Sequence, residues 1–105
     1  MTVRVQPFIP KIALKALTEL TGQVQFDIAL MMTLKDAIEH RLEKINTALR
    51  AYEQKYGMTF QEFEAKGRSG ELPDRFSYEI ERDYFEWDGL LTRKRKLEEI
   101  YQWLT

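Results

Sequence analysis

Residues 26–56 read FDIALMMTLKDAIEHRLEKINTALRAYEQKY, a stretch with neither proline nor glycine. Apolar side chains recur along it at steps of three or four residues, at Met31, Leu34, Ile38, Leu42, Ile45, Leu49, Tyr52 and Tyr56. This spacing is typical of a helix that presents one continuous apolar seam to another helix. Asp27 near the start and Lys55 near the end complement the helix dipole, and Gly57 is expected to end the helix.

The predicted helix is long for the size of the chain. It would extend about 46 Å at 1.5 Å per residue, whereas a compact chain of 105 residues has a diameter of about 34 Å. Part of the seam would then be exposed, so we predict a homodimer that buries it. The predicted dimerisation residues are Leu34, Ile38, Leu42, Ile45, Leu49 and Tyr52. A long intramolecular hairpin with the C-terminal helix is the alternative, and the two arrangements are compatible.

Shorter elements are predicted on both sides of this helix. Alternating polar and apolar residues predict a strand over residues 2–6, and residues 11–21 follow helical spacing up to Gly22. Thr59-Phe60-Gln61-Glu62 is a capping-box pattern that predicts a helix ending at Gly67. A last helix is expected from about Arg82 to Trp103.

These elements predict a mainly α fold with a short N-terminal strand, a long central helix and a C-terminal helical hairpin, assembled as a helical dimer. We divide the chain into residues 1–57, with the strand and the dimerising helix, and residues 58–105, an acidic, aromatic, partner-binding region. Both are expected to form one continuous structural unit. There is no secretory signal pattern and no apolar run of about eighteen residues, so we expect a cytoplasmic protein that does not span a membrane.

Charge and aromatic residues are concentrated in the same segment. Residues 58–92 carry four Lys/Arg and nine Asp/Glu, a net charge of −5, although the whole chain has a net charge of −1. Seven of the thirteen aromatic residues lie in that segment: Phe60, Phe63, Phe76, Tyr78, Tyr84, Phe85 and Trp87. Rings at consecutive positions cannot all face one side of a helix, so we predict that this set binds a protein partner with a basic surface. Burial of both ring faces, in a hairpin and in a dimer, is the structural alternative.

The sequence offers few residues for catalysis or metal binding. Cysteine is absent and His40 is the single histidine, and its spacing to Glu43 is the reverse of the Glu-x-x-His pattern of di-metal bundles. The carboxylates around Asp83 are interpreted as solvated charges at a helix start. The basic run Arg93–Lys96 is interpreted as a paired helix face. We therefore predict no catalytic residues, no metal ligands and no cofactor.

The first part of the chain resembles ribbon-helix-helix repressors, since a strand with the sequence TVRVQ, a helix from Ile12 to Leu20, the turn at Gly22 and a second amphipathic helix follow in that order. In that family the strands of two chains pair and enter the DNA major groove. The resemblance implies that Thr2, Arg4 and Gln6 contact bases of operator DNA.

The second part of the chain resembles small prokaryotic antitoxins. The phrases KYGMTFQEFE (residues 55–64), GELP (residues 70–73) and DYFEW (residues 83–87) are similar to the tails of such proteins. The resemblance implies a non-enzymatic regulator that covers a small basic toxin protein with its second half and binds operator DNA near its start. The remaining hypotheses are a homodimeric helical scaffold or interaction protein without DNA binding, and a metal-dependent helical-bundle enzyme.

Overall fold

The structure, a computed structural model, describes residues 8–72 and 78–105, and this part of the chain is mainly helical. It contains α1 (Lys11–Thr21), α2 (Phe26–Tyr56), α3 (Phe60–Ser69) and α4 (Tyr78–Trp103). The prediction of a mainly α fold is therefore confirmed. No strand occurs in the described residues, and the strand predicted over residues 2–6 lies outside them.

The two N-terminal helices have the bounds that the sequence predicts. α1 follows Pro10 and ends before Gly22, and α2 runs from Phe26 to Tyr56. Gly57 adopts a left-handed conformation with φ of 66°, and its N–H donates to the Glu53 carbonyl at 2.7 Å. Because side chains disfavour that conformation, glycine allows the chain to leave the helix at this point.

α3 begins as predicted and ends later than predicted. The Thr59 hydroxyl accepts a hydrogen bond from the Glu62 N–H at 3.2 Å, and the Glu62 carboxylate accepts one from the Thr59 N–H at 3.1 Å, so the capping box is confirmed. The prediction that Gly67 ends the helix is wrong. Gly70 takes the left-handed conformation instead, with φ of 77° and its N–H bonded to the Lys66 carbonyl, while Gly67 stays within the helix.

The chain divides into two compact units, one up to Ala37 and one from Ile38 to Thr105. The division that we predicted at residue 57 lies within the second unit. The reason for the difference is that the later part of α2 shares its hydrophobic core with α3 and α4. The first unit contains α1 and the start of α2.

Aromatic rings form the centre of the second unit. Trp87 and Phe63 are almost completely buried, and their ring centroids lie 5.2 Å apart. Tyr52 stacks on Trp87 at 5.5 Å and Tyr56 contacts Phe63 at 4.5 Å. Such ring pairs contribute about 0.5–1.5 kcal/mol each beyond the burial of their area, so the rings hold α2, α3 and α4 together.

Most of the predicted dimerisation residues belong to this intramolecular core. Ile38, Ile45 and Leu49 are buried in it, and Leu42 and Tyr52 pack against it. The intramolecular hairpin of α2 and α4, weighed as the alternative, therefore accounts for these five residues. Leu34 is the remaining member of the predicted set, and its side chain is exposed.

We expect the substitution Trp87→Ala to lower the free energy of unfolding by about 3–5 kcal/mol, since it removes a buried ring and leaves a cavity. Urea denaturation followed by circular dichroism measures the change. Phe85→Ala is the matched control, because Phe85 is an exposed ring on the same helix and should cost no more than about 0.5 kcal/mol. Equal losses for the two variants would contradict this account of the core.

Candidate protein-interaction site

The first unit exposes many large apolar side chains. Of the fifteen exposed large apolar side chains in the described residues, twelve lie between positions 8 and 34. We call these twelve the apolar surface. They are Phe8, Ile9, Ile12, Leu14, Leu20, Val24, Phe26, Ile28, Leu30, Met31, Met32 and Leu34.

This surface has almost no core beneath it. Ala29 is the only buried residue among residues 8–37. Ile12, Leu20 and Val24 keep 72%, 75% and 85% of their area exposed. Folded monomers rarely leave large contiguous apolar areas in water. The first unit is therefore suited to contact another apolar surface.

The aromatic residues predicted to bind a partner divide into two groups. Phe60, Phe63 and Trp87 are buried in the core of the second unit, and the half-buried Tyr84 stacks on Phe60 at 5.5 Å, so packing within the chain explains these four. Tyr78 and Phe85 are 77% and 69% exposed. Phe76 lies outside the described residues. Partner binding stays a prediction for the exposed pair, which we call the α4 rings.

A groove of about 470 Å³ lies beside Phe85 in the second unit. Its lining is mostly apolar and includes Phe63, Leu72 and Ile80, together with Glu64 and Glu81. Arg68, which also lines the groove, is paired with Glu64 at 2.9 Å. An apolar groove with carboxylates at its edge suits a polypeptide segment that carries both apolar and basic side chains.

A buried carboxylate links α2 to α4 in the same unit. Asp83 is 2% exposed, and its Oδ2 accepts hydrogen bonds from Lys55 Nζ at 2.6 Å and from the Tyr56 hydroxyl at 2.5 Å. Lys55 also contacts Glu79 at 2.7 Å, and Arg82 lies 3.5 Å from the second Asp83 oxygen. Every buried side-chain nitrogen or oxygen in residues 8–72 and 78–105 has a hydrogen-bond partner, and this includes the buried oxygens of this cluster.

The contacts of this cluster change the pKa values of its members. Burial raises the pKa of Asp83, but the hydrogen bonds from Lys55 and Tyr56 and the nearby positive charges outweigh burial, so its pKa is lowered overall. Hydrogen bonds to Asp83 and Glu79 raise the pKa of Lys55. Burial and the bond to Asp83 raise the pKa of Tyr56 to about 12. The charged Asp83–Lys55 pair and the neutral Tyr56 hydroxyl are therefore stable at neutral pH.

The buried position of Asp83 was not predicted. This residue was interpreted as one of several solvated charges at a helix start, whereas the side chain is buried between two helices. A usable signal was present, because Asp83 precedes Trp87 by four residues and so lies on the core-facing side of α4. A buried Asp is uncommon unless it is paired, and nothing in the sequence alone identifies Lys55 and Tyr56 as its partners.

The described residues contain neither a metal-binding cluster nor a helix that could span a membrane. No three His, Asp or Glu side chains in residues 8–72 and 78–105 come together in a way that could hold a metal ion. None of the four helices combines the length and the apolar character that crossing a bilayer requires. His40, which the sequence analysis considered as a ligand, is exposed on α2.

Comparison with known proteins identifies a family. The model of the Uncharacterized protein MJ0235 family matches residues 11–103. The chain belongs to this family. No curated protein and no solved structure matches the chain. The family match covers all four helices, so both the apolar surface from Lys11 onward and the Asp83 cluster lie within the matched part of this family member.

We expect Asp83→Asn to lower the free energy of unfolding of this family member by about 1–3 kcal/mol at neutral pH, because charge-assisted bonds are lost in a buried site. The pKa of Asp83 is lower in the folded than in the unfolded state. Its stabilising contribution is therefore present above the unfolded pKa and lost as the pH falls through the folded pKa.

Urea denaturation at a series of pH values from about 7 to 2 measures this contribution. The difference between wild type and Asp83→Asn should shrink as the pH falls. Asp88→Asn is the control, since Asp88 is an exposed carboxylate on the same helix. If Asp83→Asn and Asp88→Asn gave the same pH profile, Asp83 would have no special role.

Proposed function

We propose that this chain is a non-enzymatic protein-binding regulator with a role similar to that of a small antitoxin. The observation that carries the proposal is the apolar surface, on which twelve large apolar side chains are exposed over fewer than thirty residues. Exposed apolar side chains at this density cost free energy in water and are characteristic of segments that bind another protein. The proposed function of the chain is therefore to bind another protein.

The α4 rings support a second contact, with a partner of opposite charge. Tyr78 and Phe85 are exposed in the segment of residues 58–92, whose net charge is −5. Large aromatic side chains dominate binding energy in protein interfaces, and a strongly charged segment selects a partner of opposite sign. A small basic protein, such as a toxin, has the charge that complements this segment. By binding that protein, the chain would mask its basic surface.

The part of the proposal that concerns DNA depends on resemblance alone. Thr2, Arg4 and Gln6 lie outside the described residues, and their contact with operator DNA is implied by the likeness to ribbon-helix-helix repressors. The apolar surface equally favours a homodimeric scaffold without DNA binding. Deletion of residues 1–7 separates the two roles, because it removes the proposed base contacts and leaves all twelve residues of the apolar surface in place.

We expect the double variant Tyr78→Ser/Phe85→Ser to bind the product of the adjacent gene at least about tenfold more weakly than the wild type, since loss of one hot-spot ring alone costs more than about 1 kcal/mol. Coexpression and copurification establish the complex, and isothermal titration calorimetry measures its affinity. The fold should be unchanged, because both rings are exposed.

Trp103→Ser provides the control for this experiment. Trp103 is also an exposed ring on α4, but it lies at the other end of the helix, so its removal should leave the affinity unchanged. Failure of the wild type to form any complex with the adjacent gene product would count against the masking role. Equal affinities of the wild type and the double variant would exclude the α4 rings as the binding residues.

A further inference from the structure

We propose that the apolar surface is covered by a second copy of this chain. The inference rests on the proposed function, because it names the polypeptide that this surface binds. It differs from the dimer that the sequence predicts, whose interface was the whole seam of α2. In the structure the later part of that seam is buried within the chain, so the part of the seam that remains exposed in the described residues lies in the first unit.

The exposed area matches what a stable dimer needs. The exposed fractions of the twelve side chains add up to about six fully exposed residues. At roughly 60–120 Å² for each large apolar side chain, the surface offers about 400–700 Å² per copy. A standard interface buries about 800 Å² per partner, of which a little over half is apolar. The surface is thus large enough for a dimer without any contribution from the second unit.

The charges of residues 8–37, the described part of the first unit, favour a second copy over a charged partner. Residues 8–37 contain three basic side chains, Lys11, Lys15 and Lys35, and three acidic ones, Glu19, Asp27 and Asp36. A basic or acidic protein would find no opposite net charge to attract it. Two identical neutral surfaces meet without net repulsion, and a two-fold axis brings the same patch of both copies together.

The seam of α2 provides a third argument. Met31 and Leu34 are 38% and 41% exposed, whereas Ile38, the next residue of the same seam, is 6% exposed. The sequence therefore continues a helix-packing pattern into a part of α2 where the described residues leave more than a third of the Met31 and Leu34 side chains exposed. Two copies of α1 and of the first turns of α2 give four helical segments with exposed apolar side chains, the number that forms a self-contained bundle around one core.

Light scattering coupled to size exclusion tests the inference on the full chain. We expect a dimer at micromolar concentration and a dissociation constant at least about 100-fold higher for Ile12→Gln/Leu20→Gln/Val24→Gln, because three exposed apolar side chains lose their burial. The matched variant Ile12→Leu/Leu20→Met/Val24→Ile keeps the apolar character at the same positions and should remain dimeric. Trp103→Gln, at an exposed ring of the second unit, should also remain dimeric.

A measurement on the wild type alone tests the inference without any substitution that could impair folding. Amide hydrogen exchange of α1 should be slower above the dimer dissociation constant than below it, because association protects helices that have little core of their own. Exchange of α4 around Trp87 should not depend on concentration, since Trp87 is buried within one chain. Exchange of α1 that is independent of concentration would overturn the proposal.

The remaining outcomes separate this inference from the proposed function. A wild-type monomer that still binds the adjacent gene product through Ile12, Leu20 and Val24 would overturn the second copy and leave the protein-binding role intact. A wild-type monomer that forms no complex at all would overturn both. A glutamine variant as dimeric as the wild type would show that copies meet elsewhere, which also overturns the inference.

Discussion

The apolar seam of α2 is buried by the chain's own side chains in its later part and only partly covered in its first part. Ile38 and Leu49 are buried against the core of the second unit, while Met31 and Leu34 remain exposed. Burial of apolar area is the main favourable contribution to folding, so the second unit contains its own source of stability. The first unit, with Ala29 as the one buried residue among residues 8–37, would gain comparable stabilisation from the proposed contact with another surface. The proposed association would therefore add more to the stability of the first unit than to that of the second.

Polar contacts fix the arrangement of the helices in the second unit. Four of the five tyrosines donate to a carboxylate: Tyr52 to Glu86, Tyr56 to Asp83, Tyr84 to Glu64 and Tyr101 to Glu39. Three of these bonds join α2 to α4 and one joins α4 to α3. The ring gives packing area and the hydroxyl gives a directed bond, so the same residues supply both attraction and alignment. Tyr78 is the tyrosine that remains largely exposed, and with Phe85 it forms the α4 rings.

Local features of the sequence predicted α1, α2 and the start of α3, whereas α4 begins at Tyr78 and not near Arg82 as predicted. The bounds of α2 follow from apolar spacing and from Gly57, and the start of α3 follows from Thr59 and Glu62, because these signals act within one turn of helix. Two glycines three residues apart, Gly67 and Gly70, both satisfied the rule for a helix end, and the rule does not choose between them. The aromatic segment showed that large rings were present but not which of them would pack inside, so buried and exposed rings were predicted together.

The two candidate surfaces share no residue, and this separation has a consequence for regulation. Any partner that binds the folded chain stabilises it by an amount that grows with partner concentration. A partner bound at the apolar surface would stabilise mainly the first unit, whose helices have little stability of their own. A partner bound at the α4 rings would stabilise mainly the second unit, which already has its own core around Trp87. Self-association would therefore control how much of the chain is ordered, whereas binding at the rings would control what the ordered chain covers.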